Sequence, residues 1–461
     1  MTGINEVKGS FRDPAGRMFR RDGVLYRGIA PQGLDDYSML MSSGLYEELC
    51  AAGKLIPHEE AASPQAPTDE LRFIRPREIP FISYPYEWCF EQMRAAALLT
   101  LDVQQAALAR GMCLKDASAY NVQFVGPRCV FIDTLSFARR QANVPWAAYG
   151  QFCRHFLAPL ALMSMRDARL AALLRTHLDG VPLDLAAKLL PKRSRLKMGL
   201  LSHLHMHAYF VKKFSSGGAA ASSKNTRTLP RNALEALVQS LRSAVLSLKS
   251  DESSGEWTDY YDNTSYDAAA MDQKIRIVAD YLSSKAPAVV WDIGANTGRF
   301  SQVACEAGAY TVAFDIDHQA VQRNYLDALR SGRGNLLPLV CDATNPSPPL
   351  GWALAERDSL TARGPADAVL ALALVHHLAI ANNIPLESIC DFFGDICRSA
   401  LIIEFVPKDD PQVVRMLSMR ADIFDSYTPE RFESVFSRRF AIERSQRVGD
   451  GPRSIYLMTK R

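Results

Sequence analysis

The sequence lacks the features that would place the protein in a membrane, in an oxidising compartment or on a nucleic acid. Its longest apolar runs reach about half of the ~20 residues that a membrane-spanning helix needs, and it begins with no apolar signal segment. The nine cysteines include no Cys-x-x-Cys pair, which is typical of reduced core thiols. The 53 basic and 50 acidic side chains leave a net charge of only +3, so no broad basic field indicates a nucleic acid. These absences predict a cytoplasmic protein with neither a membrane nor a nucleic acid as partner, and they leave its oligomeric state open.

The composition is that of a globular protein with more than one core. The chain has 461 residues, of which 48% are hydrophobic and 22% charged. Residues 215–227, SSGGAAASSKNTR, form a long stretch of small and polar residues that cannot bury enough apolar surface to order itself. A helical pattern follows over residues 229–249. The sequence therefore predicts an N-terminal α+β domain over 1–214, a linker with one helix over 215–256 and a second domain over 257–461.

Strand and helix patterns alternate in the second domain, which predicts a parallel sheet with helices on both faces. The predicted strands are 289–293, 310–314, 336–340, 368–374 and 401–405, and the clearest helices are 300–307 and 318–329. The last residues, RRFAIERSQRVGDGPRSIYLMTKR, instead predict two strands joined by a Gly-Asp-Gly turn. We therefore expect a terminal hairpin to close the sheet.

The turn after the first of these strands, VVWDIGANTGRF, lacks the spacing of a dinucleotide site. Gly294, Asn296 and Gly298 give Gly-x-Asn-x-Gly, whereas a dinucleotide fold needs Gly-x-Gly-x-x-Gly. Asp292 ends the strand, and its carboxylate would repel a pyrophosphate. The turn therefore suits a ligand that carries positive charge.

Carboxylates also end the next two strands, Asp315 in AFDID and Asp342 in VCDAT. With Asp-x-Gly-x-x-x-Gly after the first strand, this order resembles the class I S-adenosylmethionine-dependent methyltransferases over residues 257–461. The resemblance implies a doubly wound, seven-stranded Rossmann-like sheet with an antiparallel last strand. It also implies that S-adenosylmethionine lies across the strand ends, where Asp292 orients the glycine turn and the methionine end. Asp315 would then accept hydrogen bonds from both ribose hydroxyls, and Asp342 would accept one from the adenine amino group.

The same resemblance implies roles for neighbouring residues. Gly294 and Gly298 would let the backbone approach the cofactor, and Asn296 would either point at the ligand or cap the following helix. His376 and His377 follow the fourth strand, where residues face the transferred methyl group in that family. Either histidine could remove a proton from the acceptor, or neither has a catalytic role.

An aromatic segment, WTDYYDNTSY, precedes the helix that leads into the first strand. It supplies Trp257, Tyr260, Tyr261 and Tyr266. In the resembled family this region can close over the cofactor, and aromatic faces suit a sulfonium cation. The alternative is a segment that only packs.

A second set of polar residues lies in the N-terminal domain. Asp116 is followed by Asn121 at Asp-x-x-x-x-Asn spacing, and Asp133 ends the next apolar strand. This resembles the catalytic loop and metal-binding strand of protein-kinase-like and aminoglycoside-phosphotransferase-like folds, in which Asp116 would orient a substrate hydroxyl while Asn121 and Asp133 hold Mg²⁺. The sequence has no glycine-rich phosphate loop and no lysine on the expected strand, where Arg27 is the nearest cation. The domain is thus a diverged or inactive kinase-like module, an unrelated domain with polar caps and turns, or an active phosphotransferase.

Outside that kinase alternative the sequence predicts no metal site. His203, His205 and His207 form His-x-His-x-His, but no nearby cysteine or carboxylate completes a zinc set. The run PKRSRLK, residues 191–197, either touches phosphate or an acidic partner, or is a solvated charged face.

Together these patterns predict an S-adenosylmethionine-dependent methyltransferase. The acceptor would be an oxygen or nitrogen of a small molecule, a saccharide or a protein, and the N-terminal domain would recognise substrate or partner. The alternatives are a bifunctional protein with an active ATP-dependent kinase-like domain and a cofactor-binding pseudoenzyme or scaffold. The pairing of the two domains also resembles that of nodulation-associated host-specificity methyltransferases, which implies no particular substrate.

Overall fold

The computed structural model describes most of the chain as two compact units. The described residues are 5–61, 72–141, 144–216, 230–250, 268–418 and 420–461. The first unit takes its residues from 1–124, 129–251 and 349–357, and the second from 125–128, 252–348 and 358–461. The aromatic segment with Trp257, Tyr260, Tyr261 and Tyr266 lies outside the described residues, as do residues 217–229 and 251–256 of the expected linker.

The first unit begins with a five-stranded sheet in which neighbouring strands pair antiparallel. Its strands are β1 (Asn5–Glu6), β2 (Gly16–Arg21), β3 (Val24–Ile29), β4 (His58–Ala61) and β5 (Arg72–Pro76), in the order β1-β2-β3-β5-β4. Helices α1 (Pro31–Ser42) and α2 (Leu45–Ala51) connect β3 to β4. The sequence pattern over 35–52 predicts one helix here. Gly44 separates the two, because its φ of 75° is a left-handed conformation that glycine adopts without strain.

Helices form most of the remainder of the first unit. They are α3 (Phe90–Ala109), α4 (Tyr149–Phe152), α5 (Ala158–Met165), α6 (Leu173–Thr176), α7 (Leu183–Leu189), α8 (Met198–Leu200), α9 (His207–Ser216) and α10 (Arg231–Leu246). The short strands β6 (Met112–Leu114) and β9 (Phe137–Arg139) pair with each other, as do β7 (Val122–Val125) and β8 (Arg128–Phe131). The predicted helix after the linker is α10, which packs on α3 in the first unit. Its buried Leu234, Val238, Leu241 and Val245 recur every three or four residues, as one helix face requires.

Seven strands form a single sheet in the second unit. They are β10 (Val289–Ile293), β11 (Tyr310–Asp315), β12 (Leu336–Val340), β13 (Ala366–Ala371), β14 (Cys397–Phe405), β15 (Phe440–Arg447) and β16 (Ser454–Lys460). Their order is β12-β11-β10-β13-β14-β16-β15, with β10 to β14 mutually parallel and β16 antiparallel to both of its neighbours. This confirms the predicted doubly wound sheet and its closing hairpin. The strand order reverses between β10 and β13, which makes their carboxyl ends a topological switch point.

Helices pack against this sheet and bury its apolar side chains. They are α11 (Ala268–Lys285), α12 (Arg299–Glu306), α13 (His318–Arg330), α14 (Leu386–Ile396), α15 (Pro411–Leu417) and α16 (Pro429–Phe436). Val290, Leu370 and Ile402 of the central strands form one core with Val278 and Tyr281 of α11. All nine cysteines carry free thiols. In the described part of the chain, no helix has both the length and the apolar composition needed to cross a bilayer.

Candidate active site

A cavity of about 320 Å³ lies in the second unit at the carboxyl ends of the parallel strands. Its position at the switch point is where open α/β sheets bind ligands, and its volume lies within the usual range for small-molecule sites, roughly 300 to 1,000 Å³. Six of the eight residues predicted for the methyltransferase site line it: Asp292, Gly294, Asn296, Asp315, Asp342 and His377. The fold thus brings together side chains that the sequence separates by up to 85 positions, from Asp292 to His377.

Asp315, the last residue of β11, accepts hydrogen bonds from two of the loops that line the cavity. Its Oδ2 accepts a hydrogen bond from the Asn296 backbone N–H at 2.7 Å, and its Oδ1 accepts one from the Asp317 N–H at 2.8 Å. Each carboxylate oxygen has two lone pairs, so both can accept further donors from a ligand. Burial raises the pKa of Asp315 to about 6. The carboxylate is therefore ionised near neutral pH but responds to any charge placed beside it.

Asp292 joins the end of β10 to the first turn of α12. It is 2% exposed, and its Oδ2 accepts a hydrogen bond from the Ser301 hydroxyl at 2.6 Å. Burial raises the pKa of Asp292 to about 7, and the negative charge of Asp315 acts in the same direction. Two buried carboxylates with raised pKa values favour a ligand that brings positive charge.

Asn296 and Asp342 use their side chains to hold the turns in which they lie. Asn296 has a φ of 50°, and its Oδ1 accepts a hydrogen bond from the Thr297 N–H at 2.7 Å. Oδ1 of Asp342 accepts hydrogen bonds from the backbone N–H and the hydroxyl of Thr344, at 2.8 and 2.6 Å. Both residues still line the cavity, so their predicted contacts with a ligand stay predictions.

Gly298 and His376 are absent from the cavity lining. Gly298 has a φ of 82°, and a Cβ atom there would come within 2.3 Å of the Asn324 side chain. Close packing of the turn on Asn324 therefore accounts for this glycine. His376 is fully buried with its ring centroid 4.2 Å from that of His377, and burial lowers its pKa well below the usual value. Neither residue lines the cavity, and their predicted roles at the ligand stay predictions.

His377 is the histidine that reaches the cavity. It begins a π-helical turn, His377–Ala381, and its backbone carbonyl accepts a hydrogen bond from the Asn382 Nδ2 at 2.9 Å. Burial lowers the pKa of His377 to about 4. The imidazole is therefore neutral at pH 7 and can act as a hydrogen-bond or proton acceptor. Its catalytic role stays a prediction.

Lys274 is a lining residue that the sequence reasoning missed. It projects from α11, where its Nζ lies 2.6 Å from Oε2 of Glu404 and 4.9 Å from the centroid of the Phe300 ring. The side chains of Lys274 and Glu404 are 3% and 0% exposed, and burial lowers the pKa of Lys274 despite its acidic partner. The sequence did contain a pattern that could have identified Lys274 as buried, because Lys274 occupies the same buried helix face as Met271 and Val278. A lysine at such a position requires a partner.

Glu404 also supports the backbone of the cavity wall. Its Oε2 accepts a hydrogen bond from the Ala373 N–H at 2.7 Å. Ala373 lines the cavity and has a φ of 49°, which is uncommon for a residue with a side chain and costs about 1 to 3 kcal/mol. One carboxylate thus positions both Lys274 and the strained turn after β13.

The acidic residues predicted for the first unit surround an arginine. Arg27 of β3 contacts Asp133 Oδ1 through Nη1 and Asp13 Oδ2 through Nη2, both at 2.6 Å. The Arg27, Asp133 and Asp13 side chains are 12%, 17% and 28% exposed. The Arg27 charge, together with hydrogen bonds, holds the pKa of Asp133 below its usual value, although desolvation by burial acts in the opposite direction. A guanidinium therefore satisfies the carboxylate that the resemblance assigned to Mg²⁺.

The remaining residues of this predicted group bond within the protein. The Asn121 Nδ2 donates to the Ser136 hydroxyl at 3.0 Å, and that hydroxyl donates to Asp133. Asp116 Oδ1 accepts from the Ser118 N–H at 2.8 Å, and burial raises the pKa of Asp116. Among the described residues, no group of three or more His, Cys, Asp and Glu side chains is arranged to hold a metal ion. The kinase-like interpretation of this unit stays a prediction.

No protein-family model matches the chain. The chain is 36% identical over 460 residues to nodulation protein NoeA of Rhizobium meliloti (strain 1021), and the match covers 98% of this chain and 96% of the relative. The chain belongs to the NoeA family. The alignment with this relative runs through both units.

Solved structures similar to part of this NoeA-family chain include two named methyltransferases and the protein WbdD. Magnesium protoporphyrin IX methyltransferase from Synechocystis PCC 6803 with bound SAH is 16% identical, covering 44% of this chain and 93% of that one, with a TM-score of 0.32. N-methyltransferase NodS from Bradyrhizobium japonicum WM9 is 10% identical, covering 42% and 98%, with a TM-score of 0.30. WbdD in complex with the kinase inhibitor LY294002 is 18% identical, covering 44% and 42%, with a TM-score of 0.30. The strand order of the second unit itself identifies the class I methyltransferase fold in this member of the NoeA family.

Proposed function

We propose that the protein is an S-adenosylmethionine-dependent methyltransferase that methylates an oxygen or nitrogen of a small molecule, a saccharide or a protein. The proposal rests on one observation: Asp292, Asp315 and Asp342 line one cavity of the second unit together with the glycine turn. Three carboxylates from successive strand ends provide acceptors at separate points of one elongated ligand. The first unit would recognise the substrate or a partner.

The lining residues fit this cofactor chemically. When bound, S-adenosylmethionine supplies a methyl carbon made electrophilic by a sulfonium. The buried carboxylates of Asp292 and Asp315 suit its positive charges, and Asp315 and Asp342 can accept hydrogen bonds from hydroxyl and amino groups. Lys274 brings a positive charge to the same lining and would pair with the carboxylate of the methionine end.

His377 is the residue that we place beside the acceptor. It lies in the cavity wall, and its depressed pKa keeps the ring neutral at pH 7. A neutral imidazole can accept the proton of an acceptor hydroxyl or ammonium, a contribution worth about 10² to 10⁴ in rate for a positioned base. Fully buried His376 would act only by packing against His377.

Replacing Asp315 with asparagine should weaken binding of S-adenosylhomocysteine by about ten- to 150-fold, because charge-assisted hydrogen bonds contribute about 1.5 to 3 kcal/mol. Isothermal titration of the full chain measures the change. Asp317→Asn is the matched control, since Asp317 caps α13 and asparagine caps helices equally well. Wild-type protein that binds neither S-adenosylmethionine nor S-adenosylhomocysteine would contradict the proposal itself.

Binding of S-adenosylmethionine should tighten as the pH rises from about 5 to about 8. Burial holds the pKa of Asp292 at about 7 and that of Asp315 at about 6, so both carboxylates are partly protonated at the acidic end. A cationic ligand favours the ionised forms, and binding then releases protons, with an affinity gain of up to about tenfold per pH unit for each proton released. Titrations in two buffers of different ionisation enthalpy count these protons. A flat pH profile would show that neither carboxylate senses the ligand charge.

Replacing His377 with alanine should reduce methyl transfer about a hundredfold or more while S-adenosylhomocysteine still binds. The assay incubates fractionated cell extract with radiolabelled cofactor and records whether small molecules, saccharides or proteins carry the label. Asn382→Ala is the control for a change in the same wall. Label transfer that is unchanged in His377→Ala would remove the base role. Tight cofactor binding with no label transferred by wild type would instead favour the pseudoenzyme alternative.

We infer that the biological setting is nodulation, as the name of the relative says of that protein. The inference is supported by 36% identity over 98% of this chain.

A further inference from the structure

One segment of the first unit departs from the charge balance of the chain. Residues 185–234 contain ten lysines and arginines but no aspartate or glutamate, although acidic residues are nearly as numerous as basic ones in the whole sequence. Eight of these cations lie in the described part of the segment: Lys188, Lys192, Arg193, Arg195, Lys197, Lys212, Lys213 and Arg231. Charge of one sign over 50 residues predicts an anionic partner.

Large apolar side chains are exposed in the same segment. Leu196 is 84% exposed, Met198 74%, Met206 46% and Tyr209 61%. The chain is helical from α8 through the π-helical turn Leu201–Met206 and along α9. Met198, Met206 and Tyr209 are therefore spaced by about two turns and then one turn, which places them on one side of the helix. Single exposed apolar residues are ordinary, whereas a contiguous set indicates an interaction surface.

The basic run and the apolar helix side belong to one surface. The Ser194 hydroxyl and Nε2 of His205 are 2.8 Å apart, which fixes the basic turn against the helix. Arg195, Met206 and Tyr209 line one cleft of about 440 Å³. We call Lys192, Arg193, Arg195, Leu196, Met198, Met206 and Tyr209 the basic-apolar surface.

The cations of this surface are not used in internal ion pairs. Within the described residues, no carboxylate lies within 4 Å of Lys192, Arg193 or Arg195, whereas Lys188 at the edge pairs with Asp184. Asp184, which pairs with Lys188, is the acidic residue in the lining of the same cleft. Burying apolar side chains in an interface releases water from them, and three cations without an ion-pair partner attract a dense negative charge. The partner must therefore offer anionic and apolar groups side by side.

We propose that the basic-apolar surface docks the protein on an anionic phospholipid membrane. Phosphate headgroups match the cations, and the acyl region just below them accepts leucine, methionine and the ring of tyrosine, whose hydroxyl stays at the interface. A nucleic acid would satisfy the cations but offers no apolar layer to Leu196 and Met198. The sequence-based expectation of no membrane partner considered spanning helices, and peripheral docking requires none.

The test is co-sedimentation of the full chain with vesicles of phosphatidylglycerol and phosphatidylcholine, and with vesicles of phosphatidylcholine alone. Binding is expected only to the anionic vesicles and should weaken as salt is added. K192E/R193E/R195E should bind at least about a hundredfold more weakly. L196S/M198S/Y209S should also lose most binding, because the apolar contacts are removed while the charges remain. R415E/R438E, which reverses two exposed cations of the second unit, should bind like wild type.

Two results would overturn the proposal. If wild type does not sediment with anionic vesicles at low salt, the surface does not dock on membranes. If L196S/M198S/Y209S binds as tightly as wild type, the attraction is purely electrostatic and the partner is a soluble polyanion, which a parallel titration with duplex DNA and heparin would reveal. Circular dichroism and S-adenosylhomocysteine binding of each variant show that the fold is retained, independently of vesicle binding.

Discussion

Replacing Glu404 with alanine is expected to lower the free energy of unfolding by about 3 to 5 kcal/mol, because it leaves Lys274 as an uncompensated buried charge. Both side chains are almost completely buried and their charged atoms lie 2.6 Å apart. The same change removes the acceptor of the Ala373 N–H and with it the support of a strained turn. For a unit of this size the loss corresponds to a fall in Tm of about 6 to 20 °C. Thermal unfolding, with hydrogen exchange of peptides from the second unit, measures it.

Two companion variants separate the causes of that loss. Glu404→Gln keeps an acceptor for both Ala373 and Lys274 and should cost less than the alanine variant. The double variant K274M/E404A removes both charges, so it should recover part of the stability, since replacing a buried ion pair with apolar groups is often neutral. If the double variant is no more stable than E404A, the Ala373 contact outweighs the ion pair. If E404A itself unfolds like wild type, the buried pair is not the anchor inferred from its geometry.

The sheet of the second unit could be predicted because its signals are local. Strands buried on both faces are continuously apolar, and the predicted limits of β10 and β12 match the structure. The predicted strand at 368–374 begins and ends later than β13, Ala366–Ala371. Leu372 and Leu374 continue the apolar run, but they leave the ladder to line the cavity. Hydrophobicity alone does not distinguish a buried strand from a buried loop.

The site was predictable where a residue's role depends on its own strand end, and not where it depends on a distant partner. Asp292, Asp315 and Asp342 lie at the ends of apolar strands or just after them, and all three line the cavity. Lys274 and Glu404 are 130 positions apart, and nothing in either local pattern names the other. His376 and His377 are adjacent in sequence, yet only His377 reaches the cavity. The π-helical geometry that begins at His377 has no signature in the residue pattern.

The same limit on sequence-based prediction applies to the first unit. The sequence shows Arg27 only as the nearest cation on the strand where the kinase-like resemblance expects a lysine. The structure adds its two contacts, Asp13 and Asp133. Asp13 lies in a loop before β2, outside the Asp-x-x-x-x-Asn motif and the strand that ends at Asp133. The carboxylate of Asp133, which would bind Mg²⁺ in an active phosphotransferase, is thereby neutralised by the chain itself. This arrangement favours the diverged or inactive alternative for the unit.

Replacing Arg27 with methionine should therefore destabilise the first unit by about 3 kcal/mol or more, since two largely buried carboxylates lose their counter-ion. Methionine keeps much of the apolar stem of arginine, so the loss of stability measures the contribution of the guanidinium group. The triple variant D13N/R27M/D133N removes the uncompensated charges and should recover part of that stability. Chemical denaturation followed by hydrogen exchange of first-unit peptides measures both changes. A first unit that is as stable in Arg27→Met as in wild type would show that the two contacts add nothing.

The kinase alternative can be tested by measuring how Mg²⁺ and ATP change the Tm of wild type and of the variants. If Arg27 replaces the metal, the Tm of wild type is unchanged by Mg²⁺ with ATP, whereas Mg²⁺ alone raises the Tm of Arg27→Met by bridging the freed carboxylates. If the unit is an active phosphotransferase, Mg²⁺ with ATP stabilises wild type, and Asp133→Asn abolishes the effect. Since Arg27 and a metal ion would compete for the carboxylate of Asp133, the wild-type protein can show one of these behaviours but not both.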